Sequence, residues 1–257
     1  MNYRISSIKY CPVKSLSYQS IKKSKITKNL GIDNDRIFSF SRGIDFEKAK
    51  IIEKFPNERK LNFFLTLKNS PMLNKYNFRF NENQLCLMMG EKEIISIDTS
   101  KDEEKTKLSD KLLELENKLL KPISLLMNKE YPFFDTSSST RVFNSISLIN
   151  VNSVIDFEKK IEKKIEHQRF RGNLYIDGLN AWEERNWIGK VIKINDISFK
   201  VERNIPRCVA INLKPNTDDN SLDLLRSLKK TYNHFDMGIY LTALDDGEIS
   251  VGDKLIL

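Results

Sequence analysis

Apolar positions fall into short runs at both ends of the chain and into helical spacing in the middle. Over residues 3–40, Ile5, Ile8, Ile21, Ile26 and Ile37 sit in short segments separated by polar turns, with Gly31 at one break, which predicts strands. Residues 60–97 continue this way through LNFFLTL, FRF, LCLMM and EIISI. The texture changes at Ser100, which is followed three residues later by Glu103 in capping-box spacing. Leu108, Leu112, Leu115 and Leu119 then recur at helical spacing, with Pro122 just past the predicted end. A second helix is predicted over 152–168, with Phe157, Ile161 and Ile165 as its apolar stripe. Glu158, Lys159, Lys160, Glu162, Lys163 and Lys164 form its solvated face. From residue 173 strands return as LYI, VIKI, ISFKVE, VAINL, GIYLTAL and ISVGDKLIL. Ile197, Phe199 and Val201 alternate with Ser198, Lys200 and Glu202, as in a half-buried strand. Asn195-Asp196 and Asp245-Asp246-Gly247 supply turn chemistry, and one helix near 221–230, built on Leu224, Leu225 and Leu228, interrupts the set. The pattern is mainly β within an α+β class. It divides into two β-rich modules near 100–125, each a curled sheet or small barrel, with a few covering helices.

Composition narrows the chemistry. The chain has 257 residues, and its 43 Lys+Arg against 35 Asp+Glu give a net charge of +8. That length suits one or two domains of about 150 residues and a core large enough to need no disulfide framework. Three cysteines at distant positions, Cys11, Cys86 and Cys208, do not form such a framework. The opening MNYRISSIKYCPVKSL has neither an apolar signal core nor an amphipathic leader, and no run approaches the roughly 18 apolar residues of a membrane span. The expected compartment is a reducing cytoplasm. Two histidines, His167 and His234, cannot build a multi-histidine zinc site, and no CxxC pair replaces one. The nine glycines contain neither a GxxxxGKS/T loop nor a GxGxxG fingerprint. Four spaced cysteines for an iron–sulfur cluster are missing as well. The lysines are distributed, as in Lys22-Lys23-Ser24-Lys25, without the aromatic platform or groove-entering helix of a nucleic-acid reader. The positive charge therefore favours an anionic small ligand only weakly.

Three segments carry candidate chemistry. In Arg203-Asn204-Ile205-Pro206-Arg207-Cys208-Val209-Ala210, a proline breaks the strand pattern before an Arg-Cys pair, and an apolar strand is expected directly after. A cysteine beside a cation at a strand start suits a nucleophile, a persulfide carrier or a soft-metal ligand, and equally a small buried apolar residue. In Arg169-Phe170-Arg171-Gly172-Asn173, two arginines at alternate positions of an extended segment would point to one side. There they could grip a phosphate, or simply form a solvated loop. Pro12-Val13-Lys14-Ser15, with Asp35-Arg36 further on, is a third and weaker anion signal.

Taken in order, CPVKSL, GIDNDR, RFRGNLYIDG, PRC followed by KPNT, and GIYLTALDDGEISVGD resemble MOSC proteins preceded by their N-terminal β-barrel domain. The layout is that of the amidoxime reducing component and its bacterial relatives. The resemblance spans nearly the whole chain, with no family motif over 41–140. It implies an N-terminal barrel domain over 1–100, a helical connector over 101–124 and a MOSC domain over 125–257. It further implies a molybdenum cofactor between the two modules, with Cys208 as the protein ligand to molybdenum and the catalytic residue. Lys14, Ser15 and Arg36 correspond to residues that hold the cofactor's phosphate and pterin. Arg169, Arg171 and Asn173 match the family's RFRxN, Arg207 precedes the ligand cysteine, and Ser153 takes a small-polar position where free backbone N–H groups receive an anion.

Two departures stand out: Cys11 occupies a position that is usually Tyr, and Asn180 one that is often acidic. The implied activity is reduction of N-hydroxylated compounds such as amidoximes, hydroxylamines or N-hydroxylated bases. Electrons would come from a separate protein, a ferredoxin or a flavoprotein with a haem or iron–sulfur partner. The alternatives are a sulfur carrier holding a persulfide on Cys208 and a cofactor-binding module without turnover.

Overall fold

The computed structural model describes residues 3–134 and 144–257. In chain order the strands are β1 Tyr3–Tyr10, β2 Gln19–Ile21, β3 Lys23–Thr27, β4 Gly31–Ile32, β5 Phe38–Phe40, β6 Tyr76–Asn81, β7 Gln84–Met89 and β8 Lys92–Asp98. They continue as β9 Leu125–Met127, β10 Ile146–Asn150, β11 Leu174–Asp177, β12 Val191–Ile194, β13 Ile197–Pro206, β14 Asp236–Ala243, β15 Gly247–Ser250 and β16 Lys254–Ile256. The helices are α1 Phe46–Lys54, α2 Asp102–Leu115, α3 Val151–Ile161 and α4 Leu224–Tyr232.

The class is mixed α+β, built on a closed seven-stranded barrel. Hydrogen-bonded neighbours run β11-β10-β14-β13-β12-β16-β1, and β1 also pairs with β11, closing the ring. Closure removes the sheet's free edges. The interior is aliphatic: Ile5, Ile8, Leu148, Leu174, Ile192, Ile194, Phe199, Val201, Ile239 and Leu241 share one buried core. A bulge in β1 between Ile5 and Ser7 keeps both Ile5 and Ile8 inside although they are three residues apart. Lys9 then faces outward. The outer face of β10, β11 and β14 presents Ile149, Tyr175 and Met237, which pack under α3 and α4 through Val154, Phe157, Leu224 and Leu228.

A further core joins Val13, Leu16, Phe38 and Phe40 to the three-stranded sheet β6-β7-β8 and to α2, through Phe78, Leu85, Leu87, Leu108 and Leu112. The first strands thus pair with strands from the far end of the chain: β1 with β11 and β16, and β3 with β15.

Several local expectations change. The Ser100–Glu103 capping box does not form. Ser100 Oγ donates to the Asp98 carboxylate, and α2 starts behind Lys101 with no side-chain cap. The helix predicted over 152–168 ends at Ile161, because Glu162 takes a left-handed conformation. Glu158, expected on the wet face, is only 5% exposed, since its carboxylate accepts from Ile165 N at 2.8 Å where the chain turns back. LNFFLTL is not a strand. Phe64 and Leu65 enter different cores, which a short helical turn at Leu61–Phe63 permits. VAINL is likewise a 3-10 turn, Val209–Asn212. Helix α1, with no counterpart in the sequence reading, is capped by Asp45 accepting from Lys48 N, and it buries Ala49 and Ile52.

Candidate functional site

The PVKS segment is stitched to the strand after GIDNDR: Lys14 N donates to Phe38 O, Phe38 N to Pro12 O, and Arg36 N to Cys11 O. This brings Arg36 beside the start of the chain. Its guanidinium is ion-paired to the buried Asp35 carboxylate and donates to Tyr18 Oη at 2.6 Å. Arg171 also approaches Tyr18, 5.0 Å from the ring centroid, and donates to Leu16 O at 2.5 Å. Tyr18 thus contacts both guanidiniums. Its hydroxyl is pushed up by burial, against the pull of Arg36 and Arg171.

Asp35 organises the base of this cluster. It accepts from Cys11 N at 2.7 Å and from Asn173 Nδ2 at 3.2 Å as well as from Arg36. Burial raises its carboxyl, with Arg36 the main opposing influence. Asn173 spends its amide within the fold, donating to Lys9 O and accepting from Ser147 N and Ser147 Oγ. Gly172 lets this segment lie against β10: a Cβ there would sit 2.4 Å from Ile149 Cγ1. Three of the named residues, Ser15, Arg36 and Arg171, hold left-handed backbone with φ of 61°, 57° and 49°. Non-glycine residues adopt that region uncommonly, and such positions gather at ligand sites.

Cys208 follows the end of β13. It is exposed and leads into the 3-10 turn. The turn is anchored on two sides, since Ile211 packs with α4 while Ala210 and Leu213 pack on the core of the β6-β8 sheet. Arg207 fixes the backbone just before the thiol: its N donates to Phe235 O at 2.9 Å and its Nε to Met237 O at 2.9 Å. Burial lowers the Arg207 guanidinium, while Tyr240, Tyr175, Tyr18 and Cys208 act in the opposite sense.

The two arginines of RFR do not sit on an extended segment, because Arg169 lies in the 3-10 turn His167–Phe170 and Arg171 caps it. Both nevertheless line one cleft of about 150 Å³, with Tyr18, Lys9 and Ala210. Arg169 is already committed, to Glu166 at 2.7 Å and Asn212 O at 2.7 Å. Lys14 is buried away from this cleft, its Nζ 3.3 Å from Phe133 O and 5.7 Å from the Phe64 ring centroid. Ser15, half-buried, completes that turn. Ser153 belongs to a different cluster. Its hydroxyl donates to Glu184 at 2.9 Å and accepts from Trp182 N at 2.8 Å, so the protein's own carboxylate occupies it. Cys11 is a buried thiol that donates to Val13 O, and burial pushes it up to about 11. His234 stacks on Tyr232, and its Nδ1 accepts from Asp236 N.

Sequence reasoning missed Tyr18, Tyr175 and Lys9. No motif marks them, and an outward lysine on a strand reads as solvated. Asp35 was visible only as the neighbour of Arg36.

Among the described residues no cluster of three His, Cys, Asp or Glu could hold a metal alone. A metal here would have to arrive already chelated, with Cys208 as the one protein sulfur. The donor set fits such a group in kind, with one exposed thiol at Cys208 and the guanidiniums of Arg36 and Arg171 suited to phosphate and polar ring atoms, although Cys208 does not line the cleft that holds Arg171.

Fold and site together define a β-barrel protein with an exposed thiol at the end of its longest barrel strand. Residues 136–256, just under half of the chain, match the model of the MOSC domain, and this part of the chain is a MOSC domain. The chain is distantly related to mitochondrial amidoxime reducing component 2 of Rattus norvegicus, 29% identical over 150 residues, which are 54% of this chain and 42% of that protein. Human mitochondrial amidoxime-reducing component 1 is 27% identical over 122 residues, 43% of this chain and 36% of that one. Molybdenum cofactor sulfurase 2 of Aedes aegypti is 30% identical over 79 residues, 30% of this chain and 10% of that protein. The matched segments span less than half the length of these relatives. The crystal structure of the YUAD protein from Bacillus subtilis aligns over 99% of this chain and 94% of that one, at TM-score 0.46 and 10% identity.

Proposed function

We propose that this protein is a molybdenum-cofactor-dependent oxidoreductase that reduces N-hydroxylated compounds, with Cys208 as the protein ligand to molybdenum. The observation that carries this reading is an exposed thiol on an anchored turn, directly after Arg207, whose side chain fixes the backbone that presents it. The names of the relatives, amidoxime reducing components and a molybdenum cofactor sulfurase, support it. When bound, the cofactor supplies a two-electron redox centre for removing oxygen from an N–O bond.

The chain's own residues bind and position. Cys208 offers its sulfur from a turn fixed on both sides by apolar contacts. Arg171 and Arg36, both in contact with Tyr18, hold the anionic parts of the ligand, and Arg207 holds the backbone that presents the thiol. Lys14, Ser15, Arg169, Asn173 and Ser153 act one step back, shaping the loops that carry these groups. The electron donor is a separate protein, a ferredoxin or a flavoprotein–haem system, which the distributed lysines can dock by charge. The three free thiols suit a reducing compartment such as the cytoplasm. No described helix is long and apolar enough to cross a membrane.

The test is Cys208→Ala, read by reduction of a hydroxylamine and by the molybdenum-to-pterin ratio. Loss of turnover with a lowered metal ratio is expected. Unchanged turnover at full molybdenum loading overturns the assignment. Because Cys208 is exposed, a persulfide carrier is the second reading, and it predicts labile sulfur on Cys208 in protein free of pterin.

A further inference from the structure

The cleft that holds Arg171 takes part of its lining, Leu213, Pro215 and Asn216, from the chain that follows the 3-10 turn after Cys208. Residues 214–219 form a strap closed on itself. Lys214 N donates to Asp219 O at 2.8 Å, and Thr217 N and Thr217 Oγ1 donate to Lys214 O at 3.2 and 3.0 Å. Asp219 N donates to Thr217 Oγ1 at 3.1 Å, and Asn216 takes a left-handed conformation with φ of 62°. These internal bonds fix the strap's shape but not where it sits against the cleft.

A residue 140 positions away supplies that placement. Asn74 Nδ2 donates to Lys214 O and to Thr217 O, both at 2.6 Å, so one amide spends both of its hydrogens on the strap. Asn74 also lines the cleft, and it lies in the 3-10 turn Pro71–Lys75, whose Leu73 is fully buried in the core of the β6-β8 sheet. Leu213 packs on that same core, and past it the Asn74 amide ties Lys214 and Thr217 to the same unit. The Lys214 ammonium adds an ion pair to Glu166 at 3.7 Å, solvent-exposed and therefore weak. No family motif covers residues 41–140, and Asn74 falls inside them. A bulky ligand has to push a cleft's wall aside, so the firmness of the wall's anchor sets the cost of size.

We propose that Asn74 is a positioning residue: it holds the 214–219 strap as the rim of the Arg171 cleft, and the rim limits the bulk of what enters. The strap stands without the redox reading. The substrate class rests on that reading: compact N-hydroxylated compounds pass the rim, and bulky aryl ones are disfavoured.

Four full-length proteins are compared: wild type, Asn74→Ala, Asn74→Gln and Asn57→Ala, the last an exposed asparagine outside the cleft. Hydrogen exchange of the amides of 216–219 should quicken at least tenfold in Asn74→Ala, be partly restored in Asn74→Gln and match wild type in Asn57→Ala. Amides of β6-β8 should stay as protected as in wild type. With a chemical reductant as electron source, Asn74→Ala should lower KM for a bulky aryl amidoxime at least threefold at unchanged kcat. Its KM for hydroxylamine should remain that of wild type. Strap exchange equal in wild type and Asn74→Ala overturns the anchoring, and faster exchange with an unchanged ratio of the two KM values overturns the rim. If wild type turns over neither compound, the reductase reading fails and the strap is decided on Arg171, whose labelling needs no cofactor. The reaction of Arg171 with phenylglyoxal relative to glyoxal, mapped by mass spectrometry, should then rise in Asn74→Ala, and an equal ratio overturns the proposal.

Discussion

Two polar clusters press against the same barrel and are finished differently. In the first, Asn150 donates to Glu184 at 2.8 Å and to Asn180 O at 2.7 Å and accepts from Asn152 N, while Ser153 donates to Glu184 and accepts from Trp182 N. Every group there has a partner from the chain, so the cluster is closed. In the second, Asp35 answers Arg36, while Lys9, Arg171 and Arg207 have no carboxylate partner among the described residues. The contrast separates structure from binding. A closed cluster specifies the fold, whereas a cluster with surplus charge is completed by something from outside.

The comparison breaks most visibly at Asp35. Asp35→Ala takes one carboxylate from Arg36 and strips Cys11 N and Asn173 Nδ2 of an acceptor. Denaturant unfolding should show a loss of about 3–5 kcal/mol, the usual cost of removing one partner of a buried pair. Added phosphate should narrow that deficit, because it supplies negative charge to the same cluster. A loss below 1 kcal/mol would mean that Asp35 is not the counter-charge described here.

Gly172→Ala tests whether close approach to β10 places Arg171. The added methyl meets Ile149 Cγ1 at 2.4 Å, so a loss of about 1–3 kcal/mol is expected, with weakened phosphate binding. A variant as stable as wild type with intact binding would remove the role given to Gly172.

The smallest effect is a pH slope in the closed cluster. Burial holds the Glu184 carboxyl above its ordinary range, against the hydrogen bonds from Asn150 and Ser153. The folded chain therefore binds that proton more tightly than the unfolded chain. The resulting stability is full below the unfolded value of about 4.3 and is lost as pH rises through the raised folded value. Glu184→Gln removes the dependence, so the melting temperature of the variant relative to wild type should rise between pH 5 and pH 8. A difference that stays flat over that window contradicts the assignment, and phosphate should not alter it.

The residues singled out in the sequence lie at turns, where residue type and conformation are locally coupled. Arg171, Arg207 and Cys208 each sit at the boundary of a strand or a 3-10 turn, and Arg36 lies in the turn between β4 and β5. Ser153 shows the limit of such reading. Its place near the start of α3 suggested backbone N–H groups open to an anion, whereas its hydroxyl is spent on Glu184, thirty-one residues away. Lys9 shows the reverse: an ordinary outward lysine of a strand is largely covered in the fold, its ammonium 5.3 Å from the Tyr175 ring centroid.

By itself the sequence determined the β-rich class, the period-2 strands such as β13, and the helix built on Leu108 and Leu112. These follow from side-chain periodicity and backbone preference, which act over a few residues. Barrel closure of β1 onto β11 and β16, the burial of Lys9, and the meeting of Arg36 and Arg171 at Tyr18 were decided by tertiary structure. They depend on contacts between segments more than a hundred residues apart, and no local rule carries the register or the burial that such contacts impose.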